Sequence, residues 1–154
     1  MVITELKKRS HTNHSKKLVK RYIKLELLIS ELNKRDIPSE IAKTVNQEVD
    51  KANILSDLDR LLTKQLRKSQ WSILRIIEKE LKLVPKNHYM NRWMAIGMSA
   101  FGIPMGVSFG ASFNNMSFIG IGIPLGMLIG MAIGSGMDKK AKEEGRQLDI
   151  DANF

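Results

Sequence analysis

The pattern of hydrophobic and polar positions divides the chain into two regions. Residues 1–92 mix apolar and charged positions, whereas Trp93–Met137 contains 45 residues without a charge and ten of the chain's eleven glycines. A helix needs about 20 apolar residues to cross a bilayer. The uncharged run therefore predicts two transmembrane helices that fold back as a hairpin, and we place them at 93–113 and 117–137.

In the charged region, apolar residues recur every three or four positions, the period of an amphipathic helix. The spacing predicts a first helix over 16–34, a second that starts near Pro38, and a third over 57–84 that Pro85 ends. The predicted core positions are Leu18, Tyr22, Leu25, Ile29 and Leu32, then Ile41, Val45, Val49 and Ala52, then Leu58, Leu61, Leu62, Leu66, Ile73, Ile76, Ile77, Leu81 and Val84. The fold class is therefore an all-α membrane protein, with a cytoplasmic three-helix region at 16–85 followed by a two-helix transmembrane hairpin.

The remaining segments are polar, and the composition of residues 1–15 cannot offset the entropy of ordering them. Residues 1–15 are basic and form a flexible arm, 86–92 form a juxtamembrane hinge, and 138–154 form a cytoplasmic tail. Ser56 and Asp59 resemble a capping box at the start of the third helix.

Trp71 lies off the apolar stripe of the third helix. The favoured interpretation is that its ring is buried in the core, as large aromatic side chains usually are. The alternative is an exposed Trp71 that docks onto a partner.

Cations lie near both ends of the hairpin, and the turn at Asn114 and Asn115 has no charge. By the positive-inside rule, both termini are cytoplasmic and the turn faces out. We expect a multi-pass protein of a cell membrane, of the bacterial inner-membrane kind. The predicted interfacial anchors are Tyr89, Arg92, Trp93, Lys139 and Lys140.

Glycines repeat every fourth residue in both spans, and the motif GIPMG of the first span returns as GIPLG in the second. Such ladders allow helix backbones to approach closely. The contact can form inside the hairpin or between chains, and these alternatives are about equal. Because a ladder of four drifts around its helix, we predict that the second span meets more than one neighbour, with crosslinks along Met127, Met131 and Ile133. The ladder residues for helix packing or oligomerisation are Gly102, Gly106, Gly110, Gly122, Gly126, Gly130 and Gly134.

Pro104 and Pro124 occupy matching positions of the two spans, and each removes a backbone hydrogen bond. The favoured interpretation is a matched pair of kinks that lets the helices bow around each other. The sharper alternative is a water-filled lumen in an oligomer, with Ser99, Ser108, Ser112 and Ser135 as its polar lining.

The chain carries a net charge of +9, and residues 1–92 hold 21 Lys or Arg against 11 Asp or Glu. Beside a membrane segment, the expected anionic partner is the lipid headgroup, ahead of nucleic acid. The predicted anionic-surface residues are Lys16, Lys17, Lys20, Arg21 and Lys24.

Catalytic patterns are missing from the sequence. The chain has no cysteine, its three histidines are scattered, and no Lys-Ser or Lys-Thr follows its glycine run as a phosphate-binding loop would require. The uncharged spans also lack the ionisable groups that coupled transporters place in the membrane. We predict no enzyme activity, no metal and no cofactor.

The segment GIGIPLGMLIGMAIGSG, which ends at Gly136, resembles the glycine-zipper segments of small bacterial membrane proteins. The resemblance implies membrane insertion and self-association. The expected function is therefore a non-enzymatic, homo-oligomeric membrane protein whose cytoplasmic domain binds a protein partner or signal, with a pore-forming or membrane-perturbing effector as the specific form. The alternative is a membrane anchor or scaffold that recruits a cytoplasmic partner, and the third is a nucleic-acid-binding basic domain tethered to the membrane.

Overall fold

The computed structural model describes residues 2–7, 15–55 and 59–151, and the side chain of Asp59 is outside that description. The chain is mostly helical, as predicted. The elements are α1 Lys16–Asn33, α2 Ser39–Asn53, α3 Asp59–Leu81, β1 Val84–Lys86, α4 His88–Gly97, α5 Ile103–Ser112, α6 Ile119–Glu143 and β2 Gln147–Asp151, with a π-helical turn at Met98–Gly102 and a 3-10 turn at Met116–Phe118. The two short strands, which pair in one sheet, were not predicted. The proposed capping box at Ser56 and Asp59 lies outside the described side chains.

The described residues form two compact units, the first made of those within 2–84 together with Leu148–Ile150 and the second of Pro85–Gln147 with Asp151. In the first unit, the predicted stripe of α1 is entirely buried. The α2 stripe is buried except for the partly buried Ile41. On α3, Leu62, Leu66, Ile73 and Ile77 are buried, whereas Leu61 is exposed and Leu58 is outside the described residues.

Residues 2–7 differ from the mobile arm that the sequence analysis expected. Ile3 and Leu6 are buried and belong to the same hydrophobic core as α1 and α2. Met1 and residues 8–14 lie outside the described part of the chain. The short polar run hides these contacts, because its two apolar side chains form no helical period.

Asparagine side chains from α1 and α2 hold residues 2–7 by the backbone. Asn33 Oδ1 accepts from the Ile3 N–H at 2.8 Å, and Asn33 Nδ2 donates to the Ile3 carbonyl at 3.2 Å. Asn46 Oδ1 accepts from the Thr4 N–H at 2.8 Å, and Asn53 Oδ1 accepts from the Lys7 N–H at 2.8 Å. These amides satisfy backbone groups that a lone extended strand would leave without protein partners.

The predicted C-terminal tail begins inside a helix, since α6 continues to Glu143, and β2 follows it. Leu148 and Ile150 of β2 are buried in the first unit. The carboxylate of Glu31 accepts from the Asp149 N–H at 3.3 Å and from Lys34 Nζ at 2.9 Å. Burial raises the pKa of Glu31, but these two hydrogen bonds and the charge of Lys34 outweigh it, and the pKa is lowered overall. The ionised carboxylate therefore stabilises the unit at neutral pH, and this contribution is lost as the pH falls through the folded-state pKa.

The end of α3 and the predicted hinge also differ from the sequence analysis. The helix stops at Leu81 because Lys82 takes a left-handed conformation, with φ 56°, three residues before Pro85. The predicted hinge at 86–92 is helical from His88 onward, where α4 begins.

Gln70 is a polar side chain buried in the core of the first unit, and its substitution tests what an unsatisfied amide costs in stability. It is 2% exposed, and neither Nε2 nor Oε1 has a hydrogen-bond partner among the described residues. A buried amide without a partner costs about 1–3 kcal/mol. We expect Gln70→Leu to raise the free energy of unfolding by about 1 kcal/mol or more, measured by denaturant titration of the detergent-solubilised chain.

Ser69 is the matched control, because this equally buried neighbour is satisfied. Its Oγ donates to the Glu48 carbonyl at 2.7 Å. Ser69→Ala should lower the free energy of unfolding by about 1 kcal/mol. A loss of stability in Gln70→Leu as well would contradict the assignment of Gln70 as an unsatisfied group.

Candidate functional site: the glycine-faced hairpin

Two helical segments of the second unit are long and apolar enough to cross a membrane. They are His88–Ser112, with mean hydropathy 1.4, and Met116–Glu143, with mean hydropathy 2.0. Only 22% and 17% of their most apolar windows are buried within the protein, whereas the core helix of a soluble protein would be mostly buried. The exposed apolar side chains of both segments include Phe101, Ile103, Val107, Ile121, Leu128 and Ile133.

We call these two helical segments the arms of the hairpin, and they pack face to face through their glycines. In α6 the buried residues of the span are Gly122, Gly126, Gly130 and Gly134, one on each successive turn. A Cβ atom built on Gly126 would lie 2.6 Å from the Gly102 Cα, and one on Gly122 would lie 2.5 Å from the Gly106 Cα. Real Cβ atoms do not approach backbone atoms so closely, so only glycine fits these positions. The structure therefore places both ladders against each other inside one chain.

The open end of the hairpin is the end opposite the Asn114–Asn115 turn. Toward this end, the contact between the arms continues beyond the glycine ladder of the first span. A Cβ atom on Gly130 would lie 2.7 Å from the Trp93 carbonyl carbon, and one on Gly134 would lie 2.5 Å from the Met90 Cα. At the closed end, Gly106 faces Ile119 and Gly110 faces Met116. The glycine face thus runs along the whole hairpin.

Gly97 joins this face although the sequence ladder omitted it. It is buried, and a Cβ atom there would lie 2.8 Å from the Gly130 Cα. Gly97 precedes Gly102 by five residues, which breaks the four-residue pattern in a regular α-helix. The π-helical turn at Met98–Gly102 spreads one turn over an extra residue and brings both glycines to the same face.

Gly120 and Gly136 differ from the ladder glycines, because a Cβ atom built on either would meet nothing within 4 Å. Gly120 lies two residues before the ladder residue Gly122, and Gly136 lies two residues after the ladder residue Gly134. These two pairs separate glycines that the hairpin needs from glycines that it does not need.

The two prolines of the repeated motif occupy unequal settings. Pro104 lies in the first turn of α5, directly after the π-helical turn, whereas Pro124 lies inside the continuous helix α6. The π turn accommodates the missing N–H of the first proline by shifting to wider hydrogen bonds, such as the one from the Ile103 N–H to the Met98 carbonyl. The two prolines therefore differ in backbone setting, and the matched pair of kinks stays a prediction.

Three of the four serines that the lumen interpretation requires donate hydrogen bonds to their own helices. Ser99 Oγ donates to the Ala95 carbonyl at 3.1 Å, and Ser108 Oγ donates to the Pro104 carbonyl at 2.8 Å. Ser135 Oγ donates to the Ala132 carbonyl at 3.0 Å. Such bonds satisfy a hydroxyl in an apolar environment without water.

The predicted turn lies between the arms. Asn114 takes a left-handed conformation, with φ 52°, which asparagine tolerates better than most residues. The Asn115 side chain accepts from the Ser117 N–H at 3.0 Å and caps the 3-10 turn that leads into α6.

Asp138 joins the open end of the hairpin, a role that sequence reasoning missed. Its carboxylate is 6% exposed, and its Oδ1 and Oδ2 accept from the N–H groups of Tyr89 and Met90 at 3.0 and 2.9 Å. These N–H groups open α4, whose own preceding residue, Asn87, makes no side-chain cap. A carboxylate on α6 therefore caps the positive end of α4 across the hairpin.

The predicted anchors lie within four residues of Tyr89 or Asp138 in the sequence. Tyr89 and Trp93 are half-buried and Arg92 is exposed. Lys139 and Lys140 are exposed, and their Nζ atoms lie 4.0 Å from Oε1 of Glu143 and Glu144, respectively.

The predicted anionic-surface residues belong to the first unit. Lys16, Lys17 and Lys20 are exposed, and Arg21 and Lys24 are half-buried on α1.

No protein family, curated protein or solved structure matches this chain. Within the described residues, no group of three or more His, Cys, Asp or Glu side chains is arranged to hold a metal ion. The features of the described residues that bear on function are the hairpin geometry and the charged surface of the first unit.

Proposed function

We propose that this protein is a non-enzymatic integral membrane protein whose hairpin is a self-contained two-helix anchor for its N-terminal helical unit. The observation that carries the proposal is the backbone contact between the glycine faces of α4, α5 and α6. All seven ladder glycines face the other arm of the same chain or the turn that joins the arms. The hairpin can thus fold without a second copy, which favours the anchor over assembly through these glycines.

The outward surface of the hairpin supports insertion. The exposed side chains of both arms are uncharged and mostly apolar over the length of a bilayer core, and lipid is the solvent that suits them. The cations at the open end and the uncharged turn favour both termini in the cytoplasm. The proposed location stays the inner membrane of a bacterial cell. The N-terminal unit would then act at the inner surface on a cytoplasmic protein partner.

Self-association and a pore remain predictions from the sequence, and the geometry supports them less. Both would need a surface other than the glycine faces, because backbone from the opposite arm already occupies those faces. The hydroxyls of Ser99, Ser108 and Ser135, three of the four serines of the proposed lining, also have acceptors in their own helices.

Cysteine labelling in intact cells tests the anchor and its orientation. The chain has no cysteine, so one introduced residue is a unique label site. We expect a membrane-impermeant maleimide to label Asn114→Cys in intact cells and Glu40→Cys only after the membrane is opened. Both variants should stay with the membrane fraction in alkaline carbonate. Release by carbonate, or labelling of both sites in intact cells, would contradict the proposal.

A further inference from the structure

Trp71 is exposed, contrary to the favoured interpretation of the sequence. Its side chain is 69% exposed on α3, although burying a large aromatic ring is usually favourable. The buried residues Leu62, Leu66 and Ile73 take the opposite side of the helix. The indole is therefore directed away from the core of its unit.

Cationic side chains surround Trp71 on the helix surface. At 3.6 residues per turn, Arg60, Lys64, Arg67 and Arg75 lie within about 40° of Trp71 around the α3 axis, and Lys68 lies about 60° away. All five are exposed. We call Trp71 and these five residues the basic face of α3. It extends over about 22 Å of helix, from Arg60 to Arg75.

Acidic groups neutralise little of this surface. One acidic residue of α3, Glu78, lies about 20° from Trp71 around the helix axis, three residues after Arg75, against the five cations. Lys79 at the end of the helix pairs with Glu80 at 3.4 Å. Among the residues that the structure describes, no ion pair involves the five cations of the basic face. The surface thus offers positive charge around one exposed aromatic ring.

We propose that the basic face of α3 binds the anionic phospholipid headgroups of the bilayer. This inference rests on the proposed function, since the hairpin brings the chain to a membrane. Headgroup phosphates match the cations, and an indole favours the interface between headgroups and acyl chains. A nearly straight row of cations suits a planar surface. Binding of single-stranded nucleic acid usually employs several aromatic rings for successive bases, and this face has one.

The proposal moves the main lipid contact away from the site predicted from the sequence. The cations of α1 flank Tyr22, which is 5% exposed and whose hydroxyl donates to the Lys7 carbonyl. The α1 surface therefore lacks an accessible aromatic ring at its centre, whereas α3 combines both features.

Trp71 fluorescence of the full chain in lipid nanodiscs tests the proposal. The chain has two tryptophans, so Trp93→Phe leaves Trp71 as the only indole. We expect its emission to shift to the blue in nanodiscs that contain phosphatidylglycerol, and not in pure phosphatidylcholine. Brominated phosphatidylglycerol should quench it. The shift should be lost at about 1 M salt, where the Debye length is about 3 Å.

Charge reversal on α3, matched by charge reversal on α2, identifies the surface. In the Trp93→Phe background, Arg67→Glu with Arg75→Glu should abolish the blue shift. Lys43→Glu with Lys51→Glu makes the same change in net charge at exposed positions of α2 and should retain it. Far-UV circular dichroism checks that both variants are folded.

The outcomes separate this proposal from the proposed function. Stable insertion into both nanodiscs without a shift in phosphatidylglycerol would overturn the basic face as a lipid site and leave the anchor intact. Failure to insert in either lipid would overturn the anchor. A shift that RNA produces equally well in phosphatidylcholine nanodiscs would assign the face to nucleic acid and overturn the lipid proposal.

Discussion

Replacing Gly122 or Gly134 by alanine is expected to destabilise the hairpin by about 1–3 kcal/mol, the usual cost of one methyl group too many in a close-packed contact. A Cβ atom on Gly122 would lie 2.5 Å from the Gly106 Cα, and one on Gly134 would lie 2.5 Å from the Met90 Cα. In both cases the added Cβ atom would clash with backbone atoms, so the arms must move apart to remove the clash. The measurement is unfolding of the purified chain by SDS titration, followed by circular dichroism.

Gly120 and Gly136 supply matched controls two residues away on the same helix. A Cβ atom there meets open space, so alanine should leave the hairpin as stable or stabilise it by about 0.5–1 kcal/mol through helix propensity. If Gly120→Ala and Gly136→Ala destabilised as much as the ladder variants, the described packing between the arms would be wrong.

Asp138→Ala is expected to loosen the open end of the hairpin. The substitution removes a buried carboxylate that accepts from two N–H groups of α4, and hydrogen bonds to charged groups contribute about 1.5–3 kcal/mol. We expect a loss of about 2 kcal/mol in SDS titration and faster amide exchange at Tyr89 and Met90. Asp138→Asn should lose less, because one acceptor oxygen remains.

Glu143→Ala is the control for Asp138. Glu143 is an exposed carboxylate on the last turn of α6, and its only described ion pair, with Lys139, is 4.0 Å long. Its removal should leave both amide exchange and unfolding nearly unchanged. Equal effects of the two variants would show a general charge effect in place of a specific cap.

The sequence predicted those features that depend on local periodicity. The spacing of apolar residues identified the buried face of α1, from Leu18 to Leu32, and the uncharged run located both arms and their turn. Such patterns can be read from a short stretch of sequence, because each face of a helix keeps the same surroundings along its length.

The features that the sequence did not predict depend on long-range contacts or on local irregularity. Asn33 and Asp138 act on backbone groups 30 and 49 residues away, respectively, and no spacing rule connects such partners. Gly97 joins the glycine face only through a π-helical turn, which breaks the period used to find the ladder. Trp71 was assigned to the core because most tryptophans are largely buried, although its angular position on α3 already placed it opposite Leu62.

The mass of the purified chain in nanodiscs is the most direct test of a self-contained hairpin. We predict one chain of 17.5 kDa per disc at low protein-to-disc ratios. Native mass spectrometry can count the copies, and the count should not change in Gly126→Leu, although that variant should be less stable. A ring of several copies that Gly126→Leu disperses would contradict the account and would show that the glycine faces join chains.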